Sequence, residues 1–337
     1  MKNAVYGCLI FGIDRAALGG ERKGDQMPEL NNQPIESAAP DEKENVASPE
    51  TEATATEEAP AAPGLTPEEE QEVLTHSKYL EMALGSGVLP METRYSQINH
   101  PYRKVPIAYR SFTYLNSIVS GVVPPEKYSY ASDATELGVR LSRFNIISAM
   151  RAVRKMETAG RKIEFITARC SPSLALEADL YEWMRALMEE NEFDKPEKIV
   201  LEFPQSLLYE NAEQVKLSLL GLKLLKVRTM ISGCGADDCP VANLIDLPVD
   251  FVLLAPRLTQ MLSSRVKNHV VLQFIQFLRA LPAEIVADGV LNDEQIATLS
   301  RSDCFGYIPA SNYGGNVTHG RLRMTLDEAT SQKEEET

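Results

Sequence analysis

The feature that most limits the fold of this chain is a regular alternation, between residues 162 and 309, of short β-rich runs with longer stretches of helical periodicity. The runs are KIEFITAR (162–169), KIVLEF (198–203), KVRTMIS (226–232), DFVLLA (250–255), EIVADG (284–289) and FGYIP (305–309), with the branched and apolar content of strands. Between them, LALEADLYEWMRALMEEN, SLLYENAEQVKLSLLGLK, PRLTQMLSSRVKNHVVLQFIQFLRAL and NDEQIATLSRS repeat apolar residues at three- and four-residue spacing, the pattern of a helix with one buried face. Ser206 and Asn292 or Asp293 are placed as N-caps. Strands joined through helices run parallel, and the helices cover the sheet.

Two earlier runs, METRYSQI and KVPIAYRSFTY, are joined by the turn-like NHPYR and read as a neighbouring or hairpin-like pair at the start of the same sheet. Eight strands in about 250 residues is the size of an α/β, TIM-like (β/α)8 barrel. The alternative is an open doubly wound sheet. No glycine-rich phosphate loop follows any strand, so the usual chemistry of that fold has no support.

Charge divides the chain further. The 337 residues carry 34 Lys and Arg against 48 Asp and Glu, a net charge of -14. Residues 38–72 hold eleven acids against Lys43, and residues 327–337 hold five against Lys333, which together account for the whole imbalance. Nothing in this balance suits nucleic acid, whose phosphates reward Lys and Arg. The expected organisation is a short apolar segment (1–18), a disordered acidic linker (19–74), a barrel (75–326) and an acidic tail (327–337). The linker has too few apolar side chains to offset the entropy of ordering it. The run AVYGCLIFGI (4–13) reads as an element that docks back on the domain, or as a short anchor for a partner or a membrane surface. No apolar run reaches the roughly 20 residues of a membrane span.

The five cysteines, at 8, 170, 234, 239 and 304, form no disulfide framework and suit a reducing cytoplasm. Cys234 and Cys239 enclose GADD, but no second Cys or His pair completes a zinc site, and they read as loop cysteines. The lone Trp183 fits helix-to-barrel packing, and the four scattered histidines suggest no catalytic pairing.

In a barrel, chemistry sits at the C-terminal ends of the strands. Those ends present Tyr109, Arg169, Glu202, Ser232, Ala255 and Asp288. A two-cation phosphodiesterase needs several oxygen ligands converging there, and only Glu202 and Asp288 qualify.

Six segments, in order and spacing, resemble one family. GVVPPEKY (121–128), DATELGVRLSRF (133–144), IVLEFPQSLL (199–208), LPVDFVLLAPRL (247–258), EIVADGVLNDEQIATL (284–299) and FGYIPASNY are similar to successive segments of the EAL domain of bacterial cyclic diguanylate phosphodiesterases. The resemblance runs from about Leu80 to Met324 and implies a barrel of the EAL type. It also implies where the metal ligands should stand, and most are missing. The signature Glu-Ala-Leu falls on Tyr109, Arg110 and Ser111, and the Arg two positions later is Thr113. The Asn of the next strand falls on Arg169, the Asp pair on Ser232 and Gly233, the Lys on Leu253 and its following Asp on Ala255. The second Glu of the A-E-G-V-E element is Leu291. Glu202 and Asp288 remain as remnant metal-ligand positions; their bland readings are a barrel-end carboxylate paired with Arg169 and a turn cap.

The resemblance therefore implies a pseudoenzyme with no catalytic residues and no resident metal, Mg or Mn being expected only if activity persists. The expected role is bacterial signalling or regulation in the cytoplasm, through an unidentified protein partner. One alternative is a non-hydrolysing cyclic diguanylate receptor, with Arg110, Arg169 and Arg257 as candidate phosphate contacts; it would show an arginine-lined mouth rather than one filled by Tyr109 and Phe305. Another is a surviving phosphodiesterase with an unorthodox metal site built from Glu202, Asp288, Asp237 and Asp238.

Overall fold

The computed structural model describes residues 66–86, 91–117, 121–133, 135–236, 239–310 and 317–318. The apolar segment 4–13, most of the acidic linker, Asp237, Asp238 and the 327–337 tail lie outside them. The first element is helix α1 (Pro67–Ser86), which starts inside the stretch read as linker. The signal was present in TPEEE: a proline suits the first helical turn, and an acid there complements the macrodipole.

Strands β1 (Met91–Asn99) and β2 (Pro106–Ser117) form an antiparallel ladder from Met91 opposite Leu115 to Asn99 opposite Pro106. At the turn between them, His100 Nδ1 accepts the backbone N–H of Tyr102 at 3.1 Å. Strand β3 (Gly121–Val123) folds back on β2 and leads into helices α2 (Ser129–Asp133) and α3 (Glu136–Thr158). From there strand and helix alternate: β4 (Ile166–Arg169), α4 (Pro172–Leu176), α5 (Leu180–Glu190), β5 (Ile199–Pro204), α6 (Ala212–Leu224), β6 (Arg228–Cys234) and β7 (Phe251–Leu254). Then come α7 (Pro256–Met261), α8 (Asn268–Arg279), β8 (Glu284–Val290), α9 (Asp293–Arg301), β9 (Gly306–Pro309) and the two-residue β10 (Val317–Thr318) beside β1.

The strands β2, β4, β5, β6, β7, β8 and β9 are parallel neighbours in that order. β1 pairs antiparallel with both β2 and β9 and closes the ring of eight. Both strand faces are covered, so the parallel strands are apolar almost throughout; every residue of Phe251–Leu254 is buried.

Each of the eight β-runs seen in the sequence is a strand of this ring. Several helical details are refined, and the run 174–191 is divided between α4 and α5. The N-cap of α6 is Asn211, whose Oδ1 accepts from Gln214 N at 3.1 Å, while Ser206 lies in a preceding 3-10 turn. Of the two candidates before α9, Asn292 is the cap, accepting from Gln295 N at 3.0 Å. The single run 256–281 is two helices, broken over 262–267. The long α3 is an addition: Val139, Ile146, Met150, Val153 and Met156 form its buried stripe at three- and four-residue spacing.

The core has two main compartments, and a small third cluster of Leu80, Leu115, Val123, Tyr128 and Leu141 joins α1, β2, β3 and α3. The larger lies between the strands and the helices. The smaller fills the barrel itself with Ile98, Ala108, Phe165, Val200, Met230, Phe251, Leu253, Val286 and Ile308. Its floor, at the N-terminal ends of the parallel strands, is an aromatic trio. Ring centroids of Phe165, Phe251 and Phe305 lie 4.8 Å (165–251), 5.7 Å (165–305) and 5.3 Å (251–305) apart. The Arg228 guanidinium sits over two of these rings, at 5.0 Å from Phe165 and 5.2 Å from Phe251, so the barrel is closed below by apolar packing and a cation–π contact. Phe251→Ala is expected to destabilise the protein by about 3–5 kcal/mol, the usual cost of an aromatic cavity, measured as a lower denaturant midpoint at unchanged m-value.

Candidate functional site

At the opposite end the apolar filling gives way to charge. Residues alternate across a strand, so in β2 Ala108 and Arg110 face the lumen while Tyr109 faces the helices. Arg110 spans the mouth. Its Nε lies 3.0 and 2.9 Å from the two carboxylate oxygens of Glu202 on β5, and Nη2 donates to Oε1 at 2.5 Å. Its Nη1 donates to Asp288 Oδ2 on β8 at 2.7 Å. The guanidinium also lies 4.8 Å from the Phe112 ring centroid, which covers one face of it. Side-chain exposures of 15% for Arg110, 1% for Glu202 and 19% for Asp288 mark a cluster largely withdrawn from water.

The surrounding polar groups complete it. Thr167 Oγ1 donates to Glu202 Oε2 at 3.2 Å and accepts the N–H of Ser111 at 3.2 Å. The Ser232 hydroxyl, on the neighbouring strand, donates to Phe203 O at 3.3 Å. Asp288 is aimed inward by a β-bulge, where the β8–β9 register shifts between Ala287 and Val290. Gly289 makes the bulge at φ +75°, and a Cβ there would lie 2.7 Å from Pro256 Cβ, so only glycine fits without strain.

The second arginine at the mouth has a different partner. Arg169, at the end of β4, forms a two-pronged pair with Asp133 of α2, at 2.9 and 2.6 Å. Asn145 of α3 holds the Arg169 carbonyl at 2.8 Å and accepts from Thr113 at 2.5 Å. Glu202 is thus paired with Arg110, not with Arg169. Asp133 and Thr167 were not among the site residues expected from the sequence, although Asp133 opens the DATELGVRLSRF segment and Thr167 lies in the KIEFITAR strand; α2 and β4 bring them in.

Burial by itself would raise the Glu202 carboxyl, but Arg110, with help from Arg169 and Ser232, holds it below its ordinary value. Asp288 moves the other way: burial and the nearby Glu202 raise it despite Arg110. Burial works against the Arg110 charge, but the two carboxylates outweigh it and raise its pKa. One guanidinium serves two carboxylates, and the more deeply placed one takes most of its field.

Tyr109 does not reach the mouth: it is fully buried in the outer core, its hydroxyl has no partner among the described residues, and burial raises its pKa. Phe305 lies at the floor of the barrel. Neither residue fills the C-terminal face, contrary to the expectation for a closed mouth. Arg110 and Arg169 are held by carboxylates, while Arg257 is exposed in the first turn of α7. Leu253 lies inside the barrel, Ala255 is buried and Leu291 is half exposed.

The donor set does not fit a divalent cation. Glu202 and Asp288 do converge, but on a guanidinium. Among the described residues no three His, Cys, Asp or Glu side chains are grouped to hold a metal, and Asp237 and Asp238 lie outside those residues.

Because Glu202 titrates below its unfolded value, its contribution to stability is complete above about pH 4.5 and is lost as pH falls through the lower folded-state value. Glu202→Gln should therefore cost about 3–5 kcal/mol at pH 7, and the gap to the parent should shrink towards about pH 3, as measured by urea denaturation at both pH values.

Comparison with known proteins places this architecture. The EAL domain family model matches residues 91–307. A search of curated proteins finds no match. Among solved structures, the chain is similar to the EAL enzyme Bd1971 in its cAMP- and cyclic-di-GMP-bound form, with a TM-score of 0.67, 16% identity, and 76% of this chain and 69% of that one covered. It is also similar to the FimX EAL domain of Pseudomonas aeruginosa bound to c-di-GMP, with a TM-score of 0.62, 16% identity and coverages of 72% and 96%. A third is the EAL domain of Mycobacterium smegmatis DcpA, with a TM-score of 0.58, 17% identity and coverages of 71% and 98%. At such identities the likeness shows a shared fold. With the family model matching more than half of its length, the chain belongs to the EAL domain family.

Proposed function

We propose that this chain is a pseudoenzyme of the EAL family, in which a side-chain cation has taken the place of divalent metal and which acts in signalling or regulation by binding a protein partner. The observation that carries the reading is the Arg110 bridge between Glu202 and Asp288. These are the two positions where the resemblance retains carboxylates. A guanidinium between them satisfies both charges and offers no open coordination position at which water could be activated. Arg169 is held by Asp133 where the family resemblance calls for an amide.

The partner half of the reading draws on the surface. Leu217, Leu220 and Leu224 of α6 are 68%, 41% and 78% exposed, and Tyr181 of the adjacent α5 is 37% exposed. An apolar row at three- and four-residue spacing turned to solvent is a feature of docking faces. No helix among the described residues is long and apolar enough to cross a membrane. The reading places the protein in the cytoplasm, beside the nucleotide pathway its family serves.

The second reading, a non-hydrolysing cyclic diguanylate receptor, draws on Bd1971 and FimX, whose structures were determined with that nucleotide bound, and on the exposed Arg257 of α7. Two measurements separate the readings. Calorimetric titration of the full chain with cyclic diguanylate, in magnesium or calcium and then in chelator, should give no saturable heat; saturable binding would favour the receptor. Incubation of the nucleotide with the protein and Mg²⁺ or Mn²⁺ should leave it intact, and turnover above a buffer blank would overturn the pseudoenzyme.

Arg110→Ala tests the cation exchange directly. It leaves Glu202 buried without its partner, at a cost of about 3–5 kcal/mol. Mn²⁺ should then raise the melting temperature of the variant and not that of the parent, because a bound ligand stabilises the folded state. Equal insensitivity of both proteins would refute the idea that the guanidinium stands in for a metal.

A further inference from the structure

Helix α6 is apolar on two sides. Val215, Leu219 and Leu222 are buried in the layer between helices and strands, while Leu217, Leu220 and Leu224 are exposed. A helix that is apolar all round is normally covered all round. The outward row therefore calls for a cover, and no described residue supplies one.

The row has two different flanks. At about 100° per residue, Leu217 and Leu224 stand almost one above the other and Leu220 lies beside them. Lys216 and Lys223 follow the row on the Leu220 side. On the other side is Gly221, where a Cβ would lie 3.4 Å from Tyr181 Cδ2 of α5. The bare glycine lets the exposed Tyr181 ring extend the apolar surface onto α5. From Leu217 to Leu224 the row is about 10 Å long, two helical turns, which suits a second helix packed along the first.

Charge selects among occupants. From Gln214 to Val227 the chain holds Lys216, Lys223 and Lys226 and no Asp or Glu; Glu213 stands one turn before the row. Lys223 reaches Asp250 Oδ1 only at 3.7 Å, and its side chain stays 52% exposed. A second copy laid antiparallel on this face would set Lys216 and Lys223 opposite one another, and laid parallel it would set both against Tyr181. Neither arrangement gives the lysines a carboxylate. The net charge of -14 opposes approach to an anionic bilayer. The chain's own acidic runs, 38–72 and 327–337, have few apolar side chains with which to cover leucines.

We propose that α6 and Tyr181 form the binding face for an acidic amphipathic helix of a partner protein. Its apolar stripe covers Leu217, Leu220 and Leu224, and carboxylates along one edge of that stripe meet Lys216 and Lys223. The inference rests on the reading of this row as a docking face and names the kind of partner it takes.

The test titrates the full chain, by fluorescence anisotropy, into a labelled synthetic helix of about five turns. The peptide has leucine at three- and four-residue spacing, glutamate at the flanking positions and alanine elsewhere; a second peptide has lysine in place of glutamate. The glutamate peptide should bind saturably and on the order of tenfold more tightly than the lysine peptide, and the difference should shrink in about 0.5 M salt, where exposed charges are screened. Leu217→Ser and Leu224→Ser, both at exposed positions, should each weaken binding on the order of tenfold at unchanged melting temperature. Lys216→Glu should narrow the preference between the peptides, and Lys216→Glu with Lys223→Glu should reverse it, which a folding defect could not do. Equal binding of both peptides, lost in Leu217→Ser, would keep the docking face and overturn the acidic partner. No saturable binding up to about 1 mM would overturn the proposal. So would a dimer of the parent that Leu217→Ser disperses, giving the row to a second copy, or cosedimentation with phosphatidylglycerol vesicles that the same variant abolishes, giving it to lipid. Turnover of cyclic diguanylate bears on the pseudoenzyme alone and leaves these titrations standing.

Discussion

A guanidinium held between two carboxylates at the mouth of the barrel is the interaction on which the rest of the site depends. Glu202 lies deep among β4, β5 and β6, where an unpaired charge would cost several kcal/mol. Arg110 removes that cost and extends to Asp288, tying β2 to strands on two other parts of the ring. The barrel makes this reach available. Only because β1 closes the ring between β2 and β9 does β2 face β5 and β8 across one lumen. A free divalent cation at this place would depend on supply and could be removed. A tethered guanidinium is permanent, planar and without exchangeable water.

This difference bears on how family membership and function relate. The chain shares its fold with Bd1971, FimX and DcpA at 16–17% identity, and a shared barrel hosts chemistry only through the side chains at its mouth. Here those side chains neutralise one another: Arg110 with Glu202 and Asp288, Arg169 with Asp133. After β6, where the resemblance calls for an acidic pair, the strand runs through Ser232 and Gly233 to the buried Cys234.

Much of this was legible in the amino-acid order, for a physical reason. The eight strand runs stand out because both faces of a barrel strand are buried, leaving unbroken β-branched and aromatic runs such as IVLEF and FVLL. α3 is equally periodic, but its segment doubles as a family motif, and α1 lies in an acidic stretch whose composition outweighs its start signal. The site was less legible. Placing the signature Glu on Tyr109 put the lumen-facing position one residue away from Arg110, and in a strand one residue is the difference between the inside and the outside of the barrel.

The sequence by itself determined the strand–helix alternation, the eightfold count and the family, because each of these is written in local periodicity and residue type. Tertiary structure alone decided which charge meets which. Arg110 and Glu202 are 92 residues apart, Arg110 and Asp288 178 apart, and Arg169 and Asp133 36 apart. Nothing local distinguishes an arginine that awaits a phosphate from one already held by a carboxylate. Ring closure sets those distances, and burial then makes each pairing obligatory.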